Sequence, residues 1–298
     1  MPPYVSVPDV PIPQAVLPVA VVGAGFLGRP LLHLLHLPPH PALAISRTGT
    51  WPEGPVPEGI SLHALDLLTT DAATLSRVLA PARSLVICVA AGRAQDRRAV
   101  YLDGTRRLLH ACADIPLQRV VYTSSTSALP DLDGPVDDDC PGRPTDPRGE
   151  IQRDAEDLVR AHCESLAIPW VILRLAGLYG PGRELFRLYR DDPGAPQPGD
   201  GMQATNLIHR DDAIQACLAA LALDPRHSAV VNICDDDHRP RRAMFAALAR
   251  AAGRAEPPWQ LAPGPLRGKQ VRNDRMKQLL GVRLLHPTHA LPDLSPGT

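Results

Sequence analysis

Short apolar runs alternate with longer amphipathic runs over the first two thirds of the chain. Val19–Val22, Leu85–Ala90 and Arg119–Thr123 are dominated by apolar and β-branched residues, which predicts short strands. Phe26–Leu37 and Arg97–Ala113 carry apolar residues at helical spacing and predict helices. Strands that alternate with helices in this way form parallel βαβ units with helices on both faces of the sheet. The pattern therefore predicts an α/β fold with a doubly wound parallel sheet.

The regular alternation weakens after about residue 174, which suggests a second, smaller unit. Proline-rich stretches mark loops and arms, since proline interrupts helices and inner strands. A strand predicted over 230–233 is expected to return to the main sheet. We expect a proline-rich N-terminal arm over 1–18, a sheet domain over 19–176 to which 208–236 returns, a small C-terminal substrate lobe from 177–207 and 237–290, and a tail over 291–298.

Composition and charge point away from a polyanionic or membrane partner. The chain has 31 Lys and Arg against 32 Asp and Glu, a net charge of -1, so bulk electrostatics favour neither nucleic acid nor an anionic membrane. No apolar run reaches the roughly 18 residues that a membrane span requires. The proline-rich start lacks the basic and apolar regions of a secretory leader. We expect a cytoplasmic protein whose partner is a small-molecule substrate.

The sequence offers no cluster of metal ligands at the usual spacing. Asp137, Asp138 and Asp139 follow one another in a proline-rich loop, where consecutive acids are usually solvated. The six cysteines are scattered without a CxxC pair, and we expect them to be reduced. No metal site is therefore expected.

A glycine-rich turn lies between the first predicted strand and the first predicted helix. Gly23 permits a tight turn, Gly25 lets a pyrophosphate approach the backbone, and Gly28 allows close packing of helix on strand. The helix start after Phe26 and Leu27 offers free N–H groups to phosphates. The turn predicts a dinucleotide site on a Rossmann sheet.

The end of the second predicted strand indicates which dinucleotide is bound. NAD sites usually place an acid there to hold the ribose, but this segment reads Ser46, Arg47 and Thr48. An arginine at this position can pair with a 2′-phosphate. We therefore favour NADP over NAD, and NAD stays possible.

Two further segments fit passage of a dinucleotide across the sheet. Asp66 and Leu67 follow an extended run, and the acid can accept a hydrogen bond from the adenine amino group. Ala90, Ala91 and Gly92 end a strand with small side chains, which allow a cofactor to pass closely.

Over residues 19–285 the chain resembles the extended short-chain dehydrogenase/reductases of the NAD-dependent epimerase/dehydratase type. The order and spacing of several motifs carry the resemblance: the glycine turn, Asp66-Leu67, Tyr101-x-Asp-Gly-Thr105, the Val-Tyr-Thr-Ser-Ser run ending at Ser125, residues 173–182, residues 208–212 and residues 232–236. The resemblance implies that Ser124, Leu175, Ala176 and Leu178 contribute to the cofactor site. It also implies that the lobe covers a substrate beyond the strand ends.

The chain departs from this family at the residues that transfer protons. Family members combine a serine or threonine hydroxyl, matched here by Ser125, with a Tyr-x-x-x-Lys pair. The family frame places Arg148 at the tyrosine position and Gln152 at the lysine position, a change that resembles the atypical branch of the family. Arginine stays protonated at ordinary pH and cannot cycle as an acid and base, and glutamine supplies no charge. The usual machinery for carbonyl reduction is therefore missing.

Three functional interpretations stay open from the sequence. The first is an oxidoreductase that transfers hydride to a small carbonyl or imine, in which Arg148 binds an anionic group and Tyr179, His209 or Asp131 substitutes as the acid. The second is a non-catalytic NADP-binding sensor or regulatory subunit, and the third is a decayed enzyme. Asp212 is expected to cap the helix that follows it. A homodimer through the helices near 97–113 and 151–165 is possible.

Overall fold

The computed structural model describes residues 10–35, 40–92, 94–185 and 196–288. The strands within these ranges are β1 (Val19–Val22), β2 (Ala42–Ser46), β3 (Ile60–Ala64), β4 (Ser84–Ile87), β5 (Arg119–Ser125), β6 (Gly134–Val136), β7 (Trp170–Leu175), β8 (Gly177–Tyr179), β9 (Leu207–His209), β10 (Ala229–Ile233) and β11 (Lys269–Val271). The α-helices are α1 (Gly28–Leu35), α2 (Ala72–Leu79), α3 (Thr105–Ala111), α4 (Pro147–Ser165), α5 (Arg210–Ala222), α6 (Arg241–Ala251) and α7 (Asp274–Leu279).

Seven of these strands form one sheet in the order β3-β2-β1-β4-β5-β7-β10. All six pairings are parallel. The strand order reverses between β1 and β4, which is the point where open α/β sheets hold ligands beyond the carboxyl ends of their strands. The predicted α/β Rossmann class is confirmed, as is the return of the strand near residue 230 to the main sheet.

The pleat of the strands divides the core into two layers. In β1, Val19 and Val21 face the layer that contains the buried residues of α1 and α5. Ala20 and Val22 face the layer that contains those of α3 and α4. Successive side chains of a strand point to opposite faces, so an apolar run such as this one is buried on both sides.

Two helix predictions differ from the structure at their N-terminal parts. Helix α4 begins at Pro147, not at Ile151, because the Asp146 carboxylate accepts the amides of Arg148 and Gly149 and proline suits the first helical position. The helix predicted over Arg97–Ala113 contains a π-helical turn over Ala99–Gly104 before α3. Such turns are frequent at functional sites.

The remaining strands and the N-terminal arm lie outside the central sheet. Strands β8 and β9 form one parallel pair, and β6 and β11 form another. Residues 10–18 of the arm pack onto the sheet domain: Leu17 is buried, and the Pro18 carbonyl accepts the Arg83 amide at 2.8 Å. Parts of the predicted arm, lobe and tail, namely 1–9, 186–195 and 289–298, lie outside the described residues. No helix in the described ranges has the length and apolar character needed to cross a bilayer.

Candidate active site

A cleft of about 600 Å³ opens at the carboxyl ends of the central strands, at the switch point of the sheet. Most of the predicted cofactor residues lie on it together with Ser125. They are Gly23, Gly25, Phe26, Leu27, Ser46, Arg47, Thr48, Asp66, Leu67, Ala90, Gly92, Ser124, Leu175, Ala176 and Leu178. Gly28 and Ala91 do not line the cleft, although each is next to a residue that does.

Two of the three glycines in the turn serve the packing of the protein itself. Gly23 has a φ of +104°, and a Cβ added to it would lie 2.5 Å from the Cys88 carbonyl oxygen. A Cβ added to Gly28 would lie 2.3 Å from the Gly23 carbonyl oxygen, so only glycine lets the helix start so close to the turn. Both positions shape the turn, and Gly23 also lines the cleft whereas Gly28 does not.

Gly25 has a different role, because its missing side chain leaves space for a ligand. A Cβ added there would find no described atom within 4 Å. Among the hydrogen bonds of the described chain, the amides of Phe26 and Leu27 have no acceptor. Bare backbone with unpaired N–H groups at a helix start is the arrangement that binds a diphosphate. The residues present therefore fit a dinucleotide.

Where β2 ends at the cleft, the side chains of Ser46 and Thr48 hold the loop, and Arg47 has no partner within the described ranges. The Ser46 hydroxyl accepts the Gly49 amide at 3.0 Å, and the Thr48 hydroxyl lies 2.7 Å from that of Thr50. Within the described ranges, the Arg47 guanidinium makes no ion pair or hydrogen bond. It is therefore free to pair with an anionic ligand group.

Asp66 keeps one carboxylate oxygen available to a ligand in the same half of the cleft. Its Oδ1 accepts the Leu68 amide at 2.9 Å, which fixes the side chain at the end of β3. The other oxygen has no hydrogen-bond donor in the part of the chain that the structure describes. Because Asp66 lines the cleft, this oxygen can accept from an amino group such as that of adenine.

The two neighbouring serines of β5 differ in how they are held. Ser124 donates its hydroxyl proton to the Glu156 carboxylate at 2.6 Å, so towards the cleft it can only accept. Ser125 accepts the Ser127 amide at 3.2 Å and keeps its own proton to donate. Ser125 is thus the serine that can hydrogen-bond to an electronegative atom of a substrate.

A buried ion pair fixes α4 beside these serines. Glu156 and Arg174 are paired at 2.8 Å with side chains only 3% exposed, and Arg174 also donates to the Asp138 carbonyl at 3.1 Å. The Asp138 carboxylate accepts the Asn232 amide of β10. The expectation that Asp138 is solvated is therefore wrong: its side chain is buried, which raises the pKa of its carboxyl. Its neighbour Asp139 pairs with Arg275.

Gln152 and Arg148, which the sequence analysis assigns to the lysine and tyrosine positions of the family, lie in different surroundings. Gln152 lines the cleft, is 7% exposed, and has a buried Oε1 without a hydrogen-bond partner. Arg148, one turn earlier on α4, is exposed and does not line the cleft. The two lysines of the chain are engaged elsewhere: Lys269 with the Leu129 carbonyl and Lys277 with Asp236. The cleft as described thus contains no lysine.

None of the predicted substitute acids lines the cleft. Tyr179 is buried, donates its hydroxyl to the His286 carbonyl at 2.8 Å, and has its pKa raised far above the ordinary value by burial. Asp131 accepts the Thr145 amide, which lowers the pKa of its carboxyl. His209 caps helix α5 by accepting the Asp211 amide at 3.2 Å.

The helix cap expected from Asp212 is supplied by His209 instead. The Asp212 carboxylate turns away from the start of α5 and accepts the amides of Leu285 and His286 at 2.7 and 3.3 Å. Its pKa is raised to about 6 because burial disfavours the charged form. This long-range contact, which the sequence does not reveal, takes precedence over the local cap.

Two cleft residues were missed from the sequence. Tyr101 lies on the π-helical turn, and its hydroxyl accepts the Ala91 amide at 3.2 Å while keeping its proton available to the cleft. Arg183 also lines the cleft, with its guanidinium 5.7 Å from the centre of the Phe26 ring. The Tyr101-x-Asp-Gly-Thr105 motif could have indicated the first, since it was already part of the family resemblance.

A parallel sheet with a glycine turn at its switch point defines a Rossmann-type protein. The chain belongs to the NAD dependent epimerase/dehydratase family, whose model matches residues 19–234. Protein YeeZ of Escherichia coli K12 is 30% identical over 272 residues, which cover 90% of this chain and 96% of YeeZ. The 3-diazoavenalumate denitrifying reductase of a Streptomyces species is 28% identical over 307 residues, with coverage of 91% and 97%. The UDP-glucuronic acid 4-epimerase of Bacillus cereus, solved with NAD, superposes with a TM-score of 0.75 at 24% identity, covering 91% of this chain and 94% of the epimerase.

Proposed function

We propose that this protein is an NADP(H)-dependent reductase that transfers hydride to a small electrophile without a proton from a tyrosine–lysine pair, with an imine as the favoured substrate class. One observation carries the proposal. The same cleft is open to a diphosphate at Gly25 and is lined by the neutral Gln152, which the sequence analysis assigns to the lysine position of the family. On this proposal the residues that bind the cofactor are retained, whereas those that transfer protons in the family are replaced.

NADP is favoured over NAD because Arg47 is a free cation at the adenosine end. No acid pairs with it in the described chain, and no acid stands at the end of β2 to hold a ribose diol. A 2′-phosphate would receive charge-assisted hydrogen bonds from the guanidinium, which are about twice as strong as neutral ones. The family name and the Bacillus cereus epimerase refer to NAD, so the preference for the phosphorylated coenzyme is specific to this proposal.

The residues at the reaction end suit an imine better than a carbonyl. Bound NADPH would supply the hydride. An imine nitrogen is basic enough to take its proton from water before reduction, whereas a carbonyl oxygen needs an acid in the transition state. The Ser125 hydroxyl would orient the electrophile through a hydrogen bond, and Tyr101 offers a second donor. Arg148 and Tyr179 are not part of this proposal, since neither lines the cleft.

The residue at position 148 and the name of one relative favour a reductase over a sugar epimerase. Epimerisation begins with removal of a proton from a sugar hydroxyl, and Arg148 cannot act as that base. The Streptomyces relative is named as a reductase of a diazo compound, a substrate that is electrophilic at nitrogen and not a sugar nucleotide.

The test is to mix the purified protein with NADPH deuterated at C4 and a panel of cyclic imines, aldehydes, ketones and keto acids. We expect deuterium in the reduced product, with imines turned over faster than carbonyls of similar size. NADH should serve less well than NADPH. Tight binding of NADPH without deuterium transfer to any member of the panel would favour the non-catalytic sensor instead, and equal rates for imines and carbonyls would contradict the proposed substrate class.

A further inference from the structure

We propose that His209, Asp211 and His286 form a binding site for a divalent transition-metal ion of the zinc type, separate from the dinucleotide cleft. None of the three lines that cleft. The three side chains meet where β9 runs into α5, and each presents one potential ligand atom to a shared space. Two imidazoles and a carboxylate are ligands that zinc binds readily.

The distances fit a small ion that draws the three groups slightly together. The Asp211 Oδ2 atom lies 3.7 Å from His209 Nδ1 and 3.7 Å from His286 Nε2, and the three ligand atoms all lie within 4.8 Å of one another. Zinc bound to nitrogen and oxygen at about 2.0–2.1 Å in a tetrahedron separates neighbouring ligand atoms by about 3.3 Å. A shift of a few tenths of an ångström would bring the oxygen to that separation from each nitrogen.

Two of these atoms lack the partners that buried polar atoms normally have. Asp211 is 3% exposed, yet its Oδ2 has no hydrogen-bond partner. The Nε2 atom of His286 is also buried without a partner. Buried polar atoms are almost always satisfied, and an exception calls for an explanation such as an ion. The two unpaired atoms lie 3.7 Å apart, beyond hydrogen-bond reach of each other, which makes a shared ligand the simplest explanation.

The surrounding contacts hold the ligands in place and leave the facing atoms free. Arg210 donates to Oδ1 of Asp211 at 3.0 Å and leaves Oδ2 for the ion. The backbone of His286 is fixed on both sides, because its amide donates to Asp212 and its carbonyl accepts the Tyr179 hydroxyl. The imidazoles of His209 and His286 lie with their centres 3.9 Å apart. Second contacts of this kind orient metal ligands and are part of a built site.

Metal binding would change one existing contact. The His209 Nδ1 atom accepts the Asp211 amide at 3.2 Å, a long hydrogen bond that coordination through Nδ1 would replace. The side chain of His286 is 34% exposed although its Nε2 atom is buried, so a water in the fourth position would have to enter together with the ion. Charges of both signs lie near the site. Arg210 donates to Asp211, and the carboxyl of Asp212 accepts the amide of His286.

The test uses the full-length protein after dialysis against EDTA. Zinc is titrated by calorimetry, and Co²⁺ is titrated by visible absorption, which is strong for four-coordinate Co²⁺ and weak for the hydrated ion. We expect one ion per chain and a rise in the unfolding temperature. Asp211→Asn and His286→Ala should each weaken binding at least tenfold, whereas His227→Ala, which removes an exposed histidine elsewhere, should bind as the wild type does.

Each of the following results would overturn the site. One is no saturable binding by the wild type, or binding that falls equally with His227→Ala. Another is unchanged binding in His286→Ala, a variant expected to fold because its side chain is partly exposed, even if Asp211→Asn proves unstable. Binding measured without NADPH and without substrate keeps this test independent of the proposed reductase activity.

Discussion

Substitution of Gly25 by alanine should weaken binding of the cofactor without destabilising the folded protein. The new methyl group would meet no described atom within 4 Å, and the position does not require a positive φ. The folded state should therefore accept it. Loss of glycine's freedom in the unfolded chain should even stabilise the protein by about 0.4–1 kcal/mol. The added methyl group therefore occupies only the space that we assign to the pyrophosphate.

The expected loss of NADPH affinity follows from the hydrogen bonds that the methyl would prevent. Phosphate oxygens must come within roughly 3 Å of the amides at Phe26 and Leu27 to bond. One lost hydrogen bond to a charged group costs about 1.5–3 kcal/mol. Since 1.4 kcal/mol is a factor of ten, the dissociation constant should rise about 10- to 150-fold. Quenching or enhancement of NADPH fluorescence on titration measures it.

Gly28→Ala is the matched control, because its methyl would lie 2.3 Å from the Gly23 carbonyl oxygen and should lower the unfolding temperature of the ligand-free protein. Gly25→Ala should leave that temperature unchanged or slightly higher. If Gly25→Ala binds NADPH as tightly as the wild type, the turn does not cradle a pyrophosphate and the dinucleotide interpretation of the cleft is refuted.

Three further predictions test other parts of the site and its surroundings. Arg47→Glu should shift the ratio of NADPH to NADH affinity towards NADH; an unchanged ratio in parallel titrations would show that this guanidinium does not contact the 2′-phosphate. Glu156→Gln should lower the free energy of unfolding by about 3–5 kcal/mol, because it leaves Arg174 buried without its charge partner; urea denaturation measures this, and a loss below about 1 kcal/mol would contradict it. Arg148→Tyr combined with Gln152→Lys should raise the rate of carbonyl reduction by about 100-fold or more, the usual contribution of a positioned acid, whereas neither single change should do so. Steady-state rates with a ketone as substrate measure this effect. No gain in the double variant would contradict the assignment of these positions to the tyrosine and lysine of the family.

The features that the sequence predicts well are those set by neighbours in the chain. The glycine turn, Arg47 and Asp66 each lie within a few residues of the end of a strand, and all three line the same cleft. Their contacts with a cofactor stay a prediction. The start of α4 could also have been predicted from the sequence, since Asp146 followed by proline is a normal helix start.

Features that depend on distant segments were not predictable in the same way. From the sequence, Tyr179 is a reasonable candidate acid. In the structure its hydroxyl donates to the carbonyl of His286, which is 107 positions away. Asp212 likewise left its expected cap for amides more than 70 positions away. The cluster of His209, Asp211 and His286 exists only because the same distant segment returns to α5. A single sequence indicates local geometry, but it does not indicate which distant segments come into contact in the fold.

The ion pair of Glu156 with Arg174 has a consequence for how this fold can change its chemistry. The ion pair holds α4 to the sheet at position 156, whereas Arg148 and Gln152, the positions that the sequence analysis compares with the tyrosine and lysine of the family, lie two turns and one turn nearer its start, respectively. Changes at these two positions leave the ion pair intact. The helix can therefore keep its place while the side chains nearer its start differ.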